Sequence, residues 1–121
     1  MLTFSRTRLR FKTPFVSKKQ QLIDAIKSHA SWRGNASLCE AAALLKGNSP
    51  FTYIVSEGMD ECHFFLSYVS SDHTVKHKNV RVIIDRGDWV VKNGQGLSFP
   101  TLDLLVPSCL QCSASVCKPL A

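Results

Sequence analysis

The chain has 121 residues, 45% of them hydrophobic and 20% charged, which is the length and balance of one soluble globular domain. That composition excludes wholesale disorder, a collagen-like repeat and a fibrous protein, and no apolar run approaches the roughly 18 residues of a membrane span. The formal net charge of +6 suggests nucleic acid until it is located. Arg6, Arg8, Arg10, Lys12, Lys18 and Lys19 all precede the first acid, Asp24, and the other nine basic residues are matched by nine acids. The body is therefore neutral, and residues 1–17 read as a basic, flexible leader. Such a leader serves as a solvated arm, as a weak contact for nucleic acid or an anionic membrane surface, or as a targeting signal. Pro14 interrupts any long amphipathic helix in it. No uninterrupted apolar stretch follows Met1, so the expected location is intracellular and cytoplasmic, with organelle targeting or export into a host cell left open.

In chain order, residues 18–30 read as an accessory helix with Leu22, Ile23 and Ile26 as its apolar stripe. Ser31-Trp32-Arg33-Gly34 breaks that pattern, and Gly34-Asn35 is turn chemistry. Ser37 predicts an N-cap, with Glu40 completing a capping box. Leu38, Ala41, Ala42, Leu44 and Leu45 are the expected apolar face of that second helix, which Gly47-Asn48 stops. Strands are expected at 51–55, 63–69 and 74–84, rich in aromatic and β-branched residues and joined by hairpin-length links. Period-two alternation in the third puts Val75, His77 and Asn79 on one face and Lys76, Lys78 and Val80 on the other. Trp89-Val90-Val91 is a short fourth strand. Ser98-Phe99-Pro100 opens a last helix with Leu102, Leu104, Leu105 and Val106 inward, and Pro107 ends it. The fold class is α+β, a central antiparallel sheet flanked by two helices with an extra helix at the N-terminus.

Five cysteines make an odd count, and Cys109, Cys112 and Cys117 crowd the end of the chain as C-x2-C-x4-C. A structural zinc site needs a fourth ligand, and no His or Cys stands near in sequence. No metal or other cofactor is expected. Cys117 is fifth from the end, one place short of a prenylation box. A Cys–His catalytic pair is conceivable with four histidines, His29, His63, His73 and His77. Yet no cysteine stands at a helix start or Gly-rich elbow, so no enzyme and no small-molecule substrate are expected.

The ordered set Trp32-Arg33-Gly34, Cys39-Glu40-Ala41-Ala42-Ala43-Leu44-Leu45, the strand pair His63 to Val69 and Thr74 to Val80, Trp89, and Phe99 to Val106 resembles a Src-homology-2 (SH2) domain. The resemblance implies an SH2-like domain over residues 31–117, with 118–121 as a tail. It also implies a protein or peptide partner, tyrosine-containing or not, lying extended across the central strands. The family reads phosphotyrosine with an arginine on its second strand, whose planar guanidinium donates two parallel bonds to one phosphate. In this chain the matching stretch is Tyr53-Ile54-Val55-Ser56-Glu57-Gly58, with Ser56 in the arginine's place and no arginine between Arg33 and Arg81. The family's auxiliary arginine is replaced by Leu38, and the loop acids Glu57, Asp60 and Glu61 would repel a dianion. Ser56, His77 and Asn79 are what the resemblance leaves of a degenerate ligand pocket. The expected function is a free-standing adaptor or competitor that binds peptide weakly or without phosphate. The alternative is binding of nucleic acid or an anionic surface through the leader.

Overall fold

The computed structural model describes residues 17–120. Helix α1, Lys18–Lys27, starts where the Ser17 hydroxyl accepts the Gln20 N–H at 3.1 Å. It ends three residues short of the expected Ala30, because residues 31–34 run alongside the first strand. There the Arg33 N–H donates to the Val55 carbonyl at 2.8 Å, and the Val55 N–H to that of Ser31 at 2.9 Å. Helix α2, Leu38–Leu45, carries the expected capping box. The Ser37 hydroxyl accepts the Glu40 N–H (3.1 Å), and the Glu40 carboxylate accepts the Ser37 N–H (2.8 Å).

Four strands follow as an antiparallel meander: β1 Thr52–Glu57, β2 His63–Val69, β3 Val75–Asp85 and β4 Asp88–Asn93. The β3–β4 link is Arg86-Gly87, both at positive φ (54° and 82°), the backbone of a two-residue hairpin turn that suits the twist of its strands. Two elements were not expected. Ser98–Phe99 is a short strand, β5, paired with β4. Helix α3 therefore begins later, at Leu102, capped by the Thr101 hydroxyl, which accepts the Leu104 N–H at 3.3 Å. Lys118–Pro119, assigned above to a tail, forms β6 and pairs in parallel with β1. The sheet order is β5-β4-β3-β2-β1-β6.

Helix α3 runs through Pro107 to Leu110 and closes on a left-handed Gln111. Pro107 lacks the N–H that would reach the Asp103 carbonyl, but the two residues share the outward side of the helix, where water can satisfy that carbonyl. The continuation past Pro107, where the helix was expected to end, adds Cys109 and Leu110 to the core.

The sheet separates two apolar layers. On one face Ile23 and Ile26 of α1 and Leu102, Leu105, Val106, Cys109 and Leu110 of α3 pack with Tyr53, Val55, Phe64, Leu66, Val80, Val82 and Val91. On the other face Ala41 and Leu45 of α2 pack with Ile54 and Val69. Helix α1 is thus part of the main core. Leu38, Leu44 and Leu104, expected inward, are exposed, because each short helix turns only one narrow stripe to the sheet.

Candidate functional site

Side chains alternate across a strand, so register decides which residues meet on the α2 face. Ser56 of β1 lies opposite Phe65 of β2, which lies opposite Asn79 of β3, giving one cross-strand row. Ile54, Ser67 and His77 form the next row. On the other side of Ser56's row come His63, Arg81 and Lys92. The face holding His77 and Asn79 is therefore the face holding Ser56. Val80 and Val82 turn to the opposite core.

The three residues expected to remain from a pocket are placed very differently. Ser56 is wholly buried, at 0% exposure, and its Oγ has no hydrogen-bond partner. His77 is exposed, but its Nδ1 lies 2.7 Å from the hydroxyl of buried Ser67. Burial holds the imidazole below its ordinary pKa of 6.5. Asn79 lines an open cavity of about 310 Å³ together with Phe65, His63, Arg81, Met59 and Gly94. Ser56 and His77 do not line it.

Sequence reasoning missed Arg81 and His63, although the alternation that pairs His77 with Asn79 reaches Arg81 two residues on. The loop acids do not face this cavity. Asp60 accepts from the His63 ring (Nδ1 at 2.7 Å) and from the Cys62 N–H (2.9 Å), and these bonds hold its carboxyl below the usual carboxylate range. Glu61 pairs with Lys19 of α1 at 3.1 Å. Glu57, Asp60 and Glu61 line a separate cavity of about 270 Å³ that also takes in Lys27. Gly58 sits where the loop leaves β1, and an added Cβ would lie 2.5 Å from the His63 carbonyl oxygen. Leu38, in the place of the auxiliary arginine, is exposed at the start of α2.

Of the basic residues assigned to the leader, Arg6, Arg8, Arg10 and Lys12 lie outside the described residues. Lys18 and Lys19 stand on α1. Lys18 pairs with Asp88 at 2.7 Å, and Lys19 stands over the Trp89 ring at 5.7 Å as well as on Glu61.

A serine–histidine–aspartate chain joins the segment after α1 to α3. The His29 Nδ1 lies 2.8 Å from the Ser31 hydroxyl, and its Nε2 lies 2.7 Å from Asp103. Ser31 is at 0% exposure, so the hydroxyl is closed to solvent, and the chain ties the segment that follows α1 to α3. Among the described residues no group of three or more His, Cys, Asp or Glu is placed to hold a metal ion, and no helix is long and apolar enough to cross a membrane.

This architecture, a meander of central strands with α2 on one face and α3 on the other, is the SH2 fold. Among solved structures, CED-2 superposes with a TM-score of 0.53 at 21% identity, over 63% of this chain and 49% of that one. The SH2 domain of human proto-oncogene protein VAV1 does so at 0.52 and 19% identity, over 79% of this chain and 70% of that one. The VAV1 SH2 domain complexed with a tyrosine-phosphorylated peptide from SLP76 gives 0.51 at 19% identity, over 78% and 70%. The chain thus spans about half the length of CED-2. No protein-family model and no curated protein matches it.

Proposed function

We propose that this chain is a protein-interaction module, an adaptor or competitor, that docks an extended segment of a partner protein and has lost arginine-based reading of phosphotyrosine. The observation that carries the reading is Ser56, in the arginine's place by resemblance, buried completely with an unpaired hydroxyl. No guanidinium is available there to grip a phosphate, and the residue that replaced it does not line the cavity at Asn79. Removing one partner of such a charge pair costs about 2–5 kcal/mol, so phosphorylation no longer decides binding. The bound segment crosses β3, between the cavity at Asn79 and the opposite face, where α1 and α3 enclose a smaller space of about 130 Å³ beside Leu22, Ile26 and Leu102. Cellular location follows from this role and is cytoplasmic.

The test is an NMR titration of labelled protein with matched tyrosine and phosphotyrosine peptide pools. Both pools are expected to shift Asn79 and its β3 neighbours, with affinities within about tenfold of each other. Binding of the phosphorylated pool alone, with shifts centred on Ser56 and His77, would restore the phosphotyrosine pocket and overturn the loss. Silence toward both pools at millimolar concentration would overturn peptide docking itself.

A further inference from the structure

Where α3 gives way to β6, two thiols touch. The Cys112 thiol donates to the Cys117 Sγ at 3.3 Å, and the Cys117 thiol donates to the Ser113 carbonyl at 3.3 Å. The backbone brings the pair together. Helix α3 closes on left-handed Gln111, the Cys112 N–H donates to the Pro107 carbonyl at 3.1 Å, and the Val116 N–H turns back to that of Ser113 at 3.0 Å. Small residues, Ser113, Ala114 and Ser115, fill the bend. A disulfide holds its sulfurs about 2.05 Å apart, so this pair needs to close by little more than an ångström.

Cys109, one helical turn before Cys112, is instead turned into the core at 4% exposure, beside Asn93. Cys112 and Cys117 are half-buried, and Cys117 lines an open cavity of about 310 Å³ with Tyr53, Pro107, Ala114 and Pro119. A small disulfide can therefore reach Cys117 from solvent, with Cys112 already in contact behind it. The element that a bond between them would fasten is β6. Its two residues lie in parallel on β1, opposite Thr52 and Tyr53. The Lys118 N–H donates to the Phe51 carbonyl and the Leu120 N–H to that of Tyr53, each at 3.0 Å, and the Arg33 guanidinium holds the Leu120 carbonyl. A strand so short carries little stability of its own. We propose that Cys112 and Cys117 are a disulfide-forming pair, oxidised by a low-molecular-weight disulfide, whose bond clamps β6 to the end of α3 and so fixes it on the β1 edge. The pair acts independently of peptide docking and uses nothing on the α2 face.

Exchange with oxidised glutathione proceeds in two steps. Cys117, as thiolate, attacks one glutathione sulfur; a bond forms to Cys117, the glutathione S–S bond breaks, and one glutathione thiolate leaves. Cys112 then gives its proton to water and attacks the Cys117 sulfur, and the second glutathione leaves as thiolate. The two protein thiols lose two electrons and two protons, and one glutathione disulfide becomes two glutathiones. Burial raises the Cys112 thiol pKa and makes it a poor nucleophile toward reagents in solution, but its target sulfur is already beside it.

The test equilibrates the full chain in buffers of stepped oxidised-to-reduced glutathione ratio, blocks free thiols with N-ethylmaleimide in acid, and maps the chymotryptic fragments. Cleavage after Leu110 and Leu120 leaves Cys112 and Cys117 in one fragment without another cysteine. That fragment is expected to lose the mass of two hydrogens and to carry neither glutathione nor maleimide. Hydrogen exchange at the Lys118 and Leu120 amides is expected to slow about tenfold on oxidation, while the β2–β3 amides stay unchanged. Cys112→Ser is expected to stop at a glutathione adduct on Cys117 and to gain no such protection. Thiols that stay free in the most oxidising buffer, an adduct that persists on Cys117 in the wild type, or a linkage to Cys109 would each overturn the pair. A Cys112–Cys117 bond that leaves Lys118 and Leu120 exchanging at the reduced rate would overturn the clamp.

Discussion

Ser56 stands directly across the β1–β2 ladder from Phe65, and its hydroxyl is the one buried side-chain polar atom among the described residues that has no hydrogen-bond partner. A buried hydroxyl without a partner carries a desolvation cost that nothing repays. Ser56→Ala is therefore expected to leave the fold unchanged and to raise stability by about 0.5–1 kcal/mol, read from the urea midpoint. Ser56→Arg, which would reintroduce the family's residue, is expected to lose several kcal/mol, because the position has no room for the larger side chain and no path to solvent for its charge. Adding Phe65→Ala should recover part of that loss by opening the space across the ladder. A destabilised Ser56→Ala would mean that the hydroxyl has a partner after all.

Ser67 and His77 make the opposite case, a buried hydroxyl that is satisfied. The Ser67 hydroxyl and the His77 Nδ1 lie 2.7 Å apart, and burial disfavours the charged ring. With its folded pKa below the unfolded value of 6.5, His77 is protonated first in the unfolded chain. Stability should then fall as pH drops from above the unfolded pKa to the folded one, and this contribution should be flat below that. The expected result is an NMR midpoint for His77 below 6.5, and a flatter stability profile for His77→Gln between about pH 7 and 5. Asp72 acts in a separate, more acidic window. Bonds from the Ser70 and Thr74 hydroxyls and the Thr74 N–H hold its carboxyl below the usual range. Its contribution is full above the unfolded value of 3.8 and is lost as pH falls through the folded one.

What the sequence made legible was local or periodic. The Ser37–Glu40 capping box depends on residues three apart, and the β2 bounds depend on a seven-residue stretch in which Phe64, Phe65, Tyr68 and Val69 favour a strand. The shared face of His77 and Asn79 follows from alternation alone. What stayed hidden depends on partners distant in the chain. Two-residue strands such as β5 and β6 are too short for a pattern, and they exist only because β4 and β1 offer open edges. An eight-residue helix of mostly apolar residues does not reveal that only Ala41 and Leu45 will be buried. The seal over Ser56 and the meeting of Arg81 with His63 require the β1–β2 and β2–β3 registers, which no single strand encodes.

The five thiols should separate by accessibility and protonation. Cys39 is exposed on α2, whereas Cys109 is buried and its thiol is pushed up by that burial. The Cys112 thiol is pushed up to about 12, first by burial and then by its neighbour Cys117, whose Sγ lies 3.3 Å away. Alkylation of the native protein near neutral pH, followed by peptide mass mapping, is expected to modify Cys39 first and to leave Cys109 and Cys112 unmodified until denaturant is added. Early modification of Cys112 would contradict its placement between α3 and β6.

Helix α1 provides the last comparison, because it looks like an attachment and packs like core. Ile23 and Ile26 are both 1% exposed and touch the same layer as Leu105 of α3 and Val91 of β4. Truncating such a side chain removes its transfer free energy and leaves a cavity, so Ile26→Ala is expected to cost about 2–4 kcal/mol in a single cooperative transition. By contrast Lys18→Ala, which deletes only the surface pair to Asp88, should move the midpoint little. The shape of the transition is as informative as its position. If α1 were an appendage, Ile26→Ala would detach the helix and leave the remaining unfolding curve in place. Because α1 closes the face that α3 alone would leave open over β3 and β4, both variants should instead unfold as one unit, monitored together by far-ultraviolet circular dichroism and by the fluorescence of Trp89, against which Lys19 of α1 is packed.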